Sequence, residues 1–279
     1  MKHPITILTL GILLILSTFV LAQDKKEKPK LGWHKEAVGI LNFTQNNFDN
    51  WSQGGENSLS WQMDFNGKFN YEQEKYSWAN GIKLSYGKTK VGDAEAKKSA
   101  DEIKLESVYT YKMNIYVNPY VAVTGLTQFT DGYAYTDSSK TVISSFMDPG
   151  YFTQSAGLGY QPTTYLKTRL GAALKETMAD KFAATYSKGE KTRVEAGAES
   201  VTDVNLKVAE NILYTSKLEL FSNLKGFNEI DVNWDNMFTS KISKYIGVSF
   251  NVKLFYDRDI SPKRQLKETL AVGITYSFL

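Results

Sequence analysis

From Leu59 onward the chain alternates. Leu59, Trp61, Met63, Phe65, Phe69 and Tyr71 are apolar or aromatic, and Ser58, Ser60, Gln62, Asp64, Asn66, Lys68 and Asn70 interleave as polar positions. A period of two places the two sets on opposite faces of an extended strand. The same split recurs with Ile82, Leu84 and Tyr86 against Lys83 and Ser85, and with Val248, Phe250, Val252 and Leu254 against Ser249, Asn251 and Lys253. It reaches the last residues, where Leu270, Val272, Ile274, Tyr276 and Phe278 oppose Thr269, Ala271, Gly273, Thr275 and Ser277. Few segments carry apolar residues at helical spacing, so an all-β chain is expected.

The pattern predicts strands near 35–47, 57–72, 76–90, 101–112, 115–129, 151–160, 163–179, 192–209, 213–224, 229–242, 245–256 and 266–279. Most are far longer than the usual soluble strand of about five or six residues, and they suit tilted membrane strands of roughly ten residues plus their ends. Gln73–Lys75, Met113–Asn114, Gln161–Pro162, Asn211–Ile212 and Ser243–Lys244 read as short turns, whereas Asp49–Glu56, Val91–Ala100, Thr130–Gly150 and Asp180–Lys191 read as long loops. Short and long connections alternate, as in outer-membrane barrels, apart from the short segment Lys225–Asn228. Tyr71, Tyr76, Trp78, Tyr109, Tyr111, Tyr165, Tyr245 and Tyr276 near strand ends suit aromatic girdles. A soluble sandwich shows the same alternation. Strand length and turn order favour a transmembrane antiparallel up-and-down β-barrel of about 12 strands.

The N-terminal segment agrees. Lys2 and His3 precede an apolar run from Ile5 to Val20, and Val20-Leu21-Ala22 sets small residues where a signal peptidase reads. Residues 1–22 are therefore expected to be a cleaved signal peptide, 23–32 a flexible periplasmic leader, and 33–279 the barrel. The expected localisation is the outer membrane of a Gram-negative cell, with lipid as the surrounding partner. Gly273, Tyr276 and Phe278 resemble the C-terminal signal that delivers such proteins to the barrel-assembly machinery.

Composition narrows the chemistry. With 0 Cys there is neither a disulfide framework nor a cysteine metal site, and a net charge of +3 implies no nucleic-acid partner. No glycine-rich phosphate loop or metal-ligand spacing occurs, so no cofactor and no metal are expected. His34 is the one histidine beyond the signal segment, and no base and nucleophile pair is evident, so no enzyme is expected.

If the apolar face meets lipid, the polar face lines a lumen with mixed charge: Asp64, Lys68, Lys83, Lys104, Glu106, Lys167, Arg169, Lys207, Lys217, Glu219, Asp231, Asp235 and Lys253. Twelve strands stand between a side-chain-filled barrel of about eight and an open channel of about sixteen, which predicts a narrow, largely plugged interior. A salt-bridged lining and a path for a small polar solute both remain open. A second candidate region is the polar and aromatic cluster with Gln45, Asp49, Asn50, Trp51 and Gln53 at the top of the first hairpin. Turn chemistry accounts for it, and so does an inward-folded ligand-binding loop.

Asn50-Trp51-Ser52-Gln53-Gly54-Gly55-Glu56-Asn57-Ser58 resembles the hallmark of a domain-of-unknown-function family of Gram-negative outer-membrane barrels. Trp78-Ala79-Asn80, Tyr86-Gly87, Thr127-Gln128-Phe129 with Gly132-Tyr133, Phe146-Met147-Asp148-Pro149, Glu195 with Gly197, Leu218-Glu219-Leu220-Phe221, Tyr256-Asp257-Arg258-Asp259-Ile260 and Gly273 to Phe278 resemble it as well. The resemblance runs from Gly32 to the end and implies a barrel. It brings no activity, catalytic residue or ligand. Two functional readings follow: a narrow channel or transporter for small polar solutes, or a non-conducting structural or partner-binding barrel.

Overall fold

The computed structural model describes residues 30–49, 52, 55–113, 116–136, 139–226 and 230–278. The expected signal peptide and most of the leader lie outside the described residues.

Twelve strands form one closed antiparallel barrel. They are β1 (Gly32–Asn46), β2 (Ser58–Glu72), β3 (Tyr76–Val91), β4 (Lys97–Tyr111), β5 (Val117–Thr127), β8 (Gly150–Tyr160), β9 (Leu166–Met178), β10 (Thr192–Ala209), β11 (Ile212–Asn223), β12 (Ile230–Lys241), β13 (Ile246–Tyr256) and β14 (Gln265–Ser277). Each strand pairs with its neighbour in the chain, β5 passes directly to β8, and β14 returns to β1. The up-and-down barrel expected from the alternation is therefore present, with strand ends within a few residues of the predicted ones except at β4.

Three connections differ from expectation. Thr130–Gly150, expected as a single loop, contains a hairpin of β6 (Gly132–Tyr135) and β7 (Lys140–Ser144), and Asp180–Lys191 contains a short helical turn, α1 (Ala183–Tyr186). The loop expected over Val91–Ala100 shrinks to 92–96, because β4 begins at Lys97 and pairs with Thr89 across an irregularity at Gly87 and Lys88. Lys97-Lys98-Ser99-Ala100 has no apolar alternation, so its strand character was hidden. Asp101 and the Thr130 carbonyl hold the Lys98 ammonium at 2.9 and 3.0 Å and stabilise this extension.

Alternation decides what each face meets. Leu41, Met63, Leu105, Val121, Leu158, Leu170, Val194, Leu270 and Ile274 share one face and are all exposed. An apolar band of this extent cannot stay in water without association, and it matches the outward surface of a membrane-spanning barrel. At the short-turn end, Trp33, Tyr71, Trp78, Tyr76 and Tyr109 form a continuous aromatic row, with ring centroids 5.0 Å apart for Trp33 and Tyr71 and 5.5 Å for Tyr76 and Tyr109. Their amphipathic rings suit a headgroup boundary.

The closing seam is the weakest ladder. β1 and β14 pair only from Val38 with Ser277 to Asn42 with Gly273, whereas β1 pairs with β2 along its whole length. Toward the long-loop end, Phe43 to Asn46 and Gln265 to Val272 have no register partner across this seam among the described residues.

Inside, small residues shape the wall. Gly157 and Gly171 face each other between Tyr120 and Glu199, and a Cβ on Gly171 would lie 2.7 Å from the Tyr120 hydroxyl. A Cβ on Gly197 would lie 2.6 Å from the Phe221 ring. Glycine at these positions lets each ring lie against the wall.

Candidate functional site

The inward face gathers most of the charged residues expected there. The strand register sets Asp64 beside Ser85, Lys83 beside Lys104, and Lys217 beside Asp235, all on the lumen parity. Side chains of this length from opposite walls of a twelve-stranded barrel can meet, and they do.

At mid-height the ammonium of Lys83 on β3 lies 2.8 Å from Asp235 on β12 and 3.1 Å from Glu102 on β4. Glu102 also holds Lys253 of β13 at 2.5 Å. Next to this group, Lys104 reaches Glu219 of β11 at 2.6 Å, while Glu106 takes Lys217 at 2.5 Å and Arg169 at 2.8 Å. Asn251 and Asn233 donate to Asp235 and Glu219. The pairs Lys83–Asp235, Glu102–Lys253, Lys104–Glu219 and Glu106–Lys217 each join strands on far sides of the ring order. Together they make a charged septum across the lumen.

The other expected residues fall elsewhere. Asp64 accepts from Ser85 at 2.6 Å and from Gln62 at 2.9 Å. Lys68 sits opposite Glu36 and Lys167 opposite Asp203, neither within ion-pair distance of a carboxylate among the described residues. Asp231 belongs to a higher cluster, where it and Asp257 hold Lys175 at 2.6 and 3.2 Å. Gln45 shares the parity of Leu41 and Phe43, so the register sets it on the outer face at the long-loop end, apart from the lumen group. Asp49 lies in the loop after β1 and is exposed. Asn50, Trp51 and Gln53 lie outside the described residues.

Sequence reasoning missed Glu102, Lys175, Arg193, Glu195, Glu199 and Asp203 as lumen residues. On β10 the outward residues include Ala196, Ala198 and Ser200, so a small-residue face blurs the alternation that would have marked the glutamates. The available signal was a carboxylate at every fourth position from Glu195 through Glu199 to Asp203, all on one face of an extended strand.

Loops cover the long-loop end. Asp259 bridges Arg193 at 2.5 Å and Lys188 at 2.8 Å, tying the β13–β14 loop to the β9–β10 loop. Partial burial opposes ionisation of Asp259, but hydrogen bonds from Lys188 and Arg193 outweigh it and hold the carboxyl below its ordinary range. The buried Asp148 carboxylate accepts the backbone N–H groups of Asp180 and Lys181 at 3.0 and 2.9 Å, fastening the segment that leads into α1. Lys140 of β7 pairs with Glu95 at 2.6 Å.

Between septum and loops lies a cavity of about 120 Å³, lined by Lys104, Lys175, Glu199, Asn233, Phe221 and Phe255 among others. Among the described residues no group of three or more His, Cys, Asp or Glu side chains is placed to hold a metal ion.

Residues 43–133 match the family described as Protein of unknown function (DUF3078). The match takes in the cluster from Asn50 to Ser58 and the motifs through Gly132-Tyr133, while those from Phe146 onward lie beyond it. No curated protein matches the sequence. Among solved structures, the translocator domain of the autotransporter NalP from Neisseria meningitidis is 10% identical with a TM-score of 0.39, covering 96% of this chain and 94% of that one. An outer membrane channel from Pseudomonas putida F1 is 11% identical with a TM-score of 0.40, covering 91% and 98%. The NanC porin is 8% identical with a TM-score of 0.40, covering 86% and 98%. The fold is established by the closed strand order and the outward apolar face rather than by these likenesses.

Proposed function

We propose that the protein resides in the outer membrane as a β-barrel closed across its middle, a non-conducting envelope component in the state described. The observation that carries this reading is the septum. Lys83, Lys104, Glu106 and Lys217 pair with carboxylates or cations on the far wall, and breaking a buried ion pair by removing one partner costs about 3–5 kcal/mol. Several such pairs at one level are not opened by thermal motion of single side chains.

The apolar outer band and the aromatic row at the short-turn end support a lipid environment, and closed barrels of even strand number are the form in which strands cross the outer membrane. The signal-peptide pattern of residues 1–22 supplies the export route in this reading.

A second reading, a gated path for a small polar solute, is favoured by the cavity above the septum pair Lys104–Glu219, whose lining mixes charged and apolar side chains. Planar-bilayer recording separates the two. The unaltered protein is expected to show no steady conductance, and a variant with Lys83, Lys104, Glu106 and Lys217 all changed to Ser is expected to conduct if it folds. Steady ohmic conductance from the unaltered protein would overturn the closed-lumen proposal.

A further inference from the structure

The cavity between septum and loops is chemically lopsided. Its lining includes four carboxylates, Glu199, Glu219, Asp231 and Asp257, against two ammonium groups, Lys104 and Lys175. The cations are spoken for: Lys104 by Glu219, and Lys175 by Asp231 and Asp257. Glu199 is the most loosely paired of the four. It is 8% exposed, and its Oε2 accepts no hydrogen bond. Its one cationic neighbour among the described residues, Arg169, forms a loose ion pair with it at 3.9 Å through Nε, beyond hydrogen-bond reach, so that Nε too lacks a hydrogen bond, while Nη2 is committed to Glu106.

A second cavity-lining atom shares this condition. Asn233 donates its amide N–H to Glu219 at 2.6 Å, which leaves Oδ1 buried and unpartnered. Buried polar atoms are normally satisfied, so two acceptors without a hydrogen bond in one cavity leave places for the donors of a guest. Both are acceptors, and one is a carboxylate lacking a hydrogen-bonded counter-charge. The guest must bring N–H or O–H groups and positive charge.

The remaining wall sets its shape. Phe221 and Phe255 supply aromatic surface, and the Lys175 ammonium already lies 5.5 Å from the centre of the Phe221 ring, so this wall accommodates an alkylammonium. A hard divalent ion needs about six to eight oxygen ligands, which the described residues do not assemble. An anion would meet the carboxylate excess.

We propose that this cavity binds a small organic ammonium, which donates to Glu199 Oε2 and Asn233 Oδ1 and rests its apolar part on the phenylalanine wall. The proposal goes beyond the closed-lumen reading and does not depend on it: the cavity rests on the septum pair Lys104–Glu219, and binding there is read without conductance.

Calorimetric titration of the detergent-folded full-length protein tests it with three probes of one size: propylammonium chloride, 1-propanol and sodium propionate, at fixed ionic strength. Propylammonium is expected to bind saturably, 1-propanol at least about tenfold more weakly, and propionate not at all. Glu199→Gln is expected to weaken propylammonium by at least about tenfold and to leave 1-propanol unchanged. Equal binding of propylammonium and 1-propanol, or no saturable heat from propylammonium, overturns the proposal, as does unchanged propylammonium binding in a folded Glu199→Gln protein. If that variant fails to fold, the three-probe comparison on the unaltered chain still decides. Conductance is read separately, so failure here and failure of the closed lumen are distinguishable.

Discussion

Glu106 is the septum residue whose loss is easiest to reason through. Its carboxylate accepts Arg169 Nη2 at 2.8 Å and Lys217 Nζ at 2.5 Å, and its side chain is 18% exposed. Glu106→Gln keeps the shape and removes the charge, leaving two cations facing a neutral amide. Loss of one partner from a buried pair costs about 3–5 kcal/mol, against about 0–1 kcal/mol for an exposed pair. Lys217 retains Asp203 at 3.6 Å and Glu219 at 3.9 Å, and Arg169 retains Glu199 at 3.9 Å, so residual attraction places the expected cost at the lower end, about 3 kcal/mol. Adding Lys217→Met removes one stranded cation and should restore roughly half of that loss. The assay is reversible urea unfolding in lipid or detergent, read by tryptophan fluorescence, for both variants and the parent. A cost below about 1 kcal/mol for Glu106→Gln would mean that water screens the pairs as it does at a surface, and the septum would then be no seal.

Other consequences follow from the same geometry. A Cβ at Gly157 would stand 2.1 Å from the Leu170 carbonyl oxygen and one at Gly171 2.3 Å from that of Ala156, so either changed to Ala should abolish the folded, heat-modifiable band on gels. Gly81→Ala, whose Cβ meets nothing within 4 Å, should leave the band intact. Asp148→Ala removes the acceptor for the Asp180 and Lys181 amides, worth about 1–3 kcal/mol locally, and should speed limited proteolysis between residues 179 and 191 with little change in barrel unfolding. Because the folded Asp259 carboxyl titrates below its unfolded value of about 4, its contribution is present above that value and lost as pH falls through the folded one. Proteolysis of the loop it fastens should therefore be flat from pH 7 to 5 and rise only below about pH 4. At the β1–β14 seam, hydrogen exchange should be faster for amides on the free edge of Gln265 to Val272 than within β2; equal protection would show that the seam closes along its full length.

Strand number, strand ends and the face each side chain takes were legible because a period-two pattern needs only the next residue but one, and because a register slip of one would turn every apolar side chain inward. Leu59 to Tyr71 illustrates this: the split between its two faces is complete, and β2 runs where the pattern placed it. Where small residues made both faces alike, as on β10, the reading failed and Glu195 and Glu199 were overlooked. The hairpin of β6 and β7 was missed for a related reason. Short strands within an outer loop bury no continuous face, and their pairing leaves little hydrophobic trace.

The sequence by itself pointed to a barrel, through strand length and the order of short and long connections, and to a charged inner face, through local alternation. Only the tertiary structure decided which charge meets which: Lys83 lies 152 positions from Asp235, and Glu106 lies 111 from Lys217. Closure of the ring brings such residues together, and the diameter set by twelve strands determines whether their side chains span the gap. No local pattern carries that distance, so the septum, the loosely paired carboxylate at Glu199 and the short seam between the first and last strands become visible only once the ring is closed.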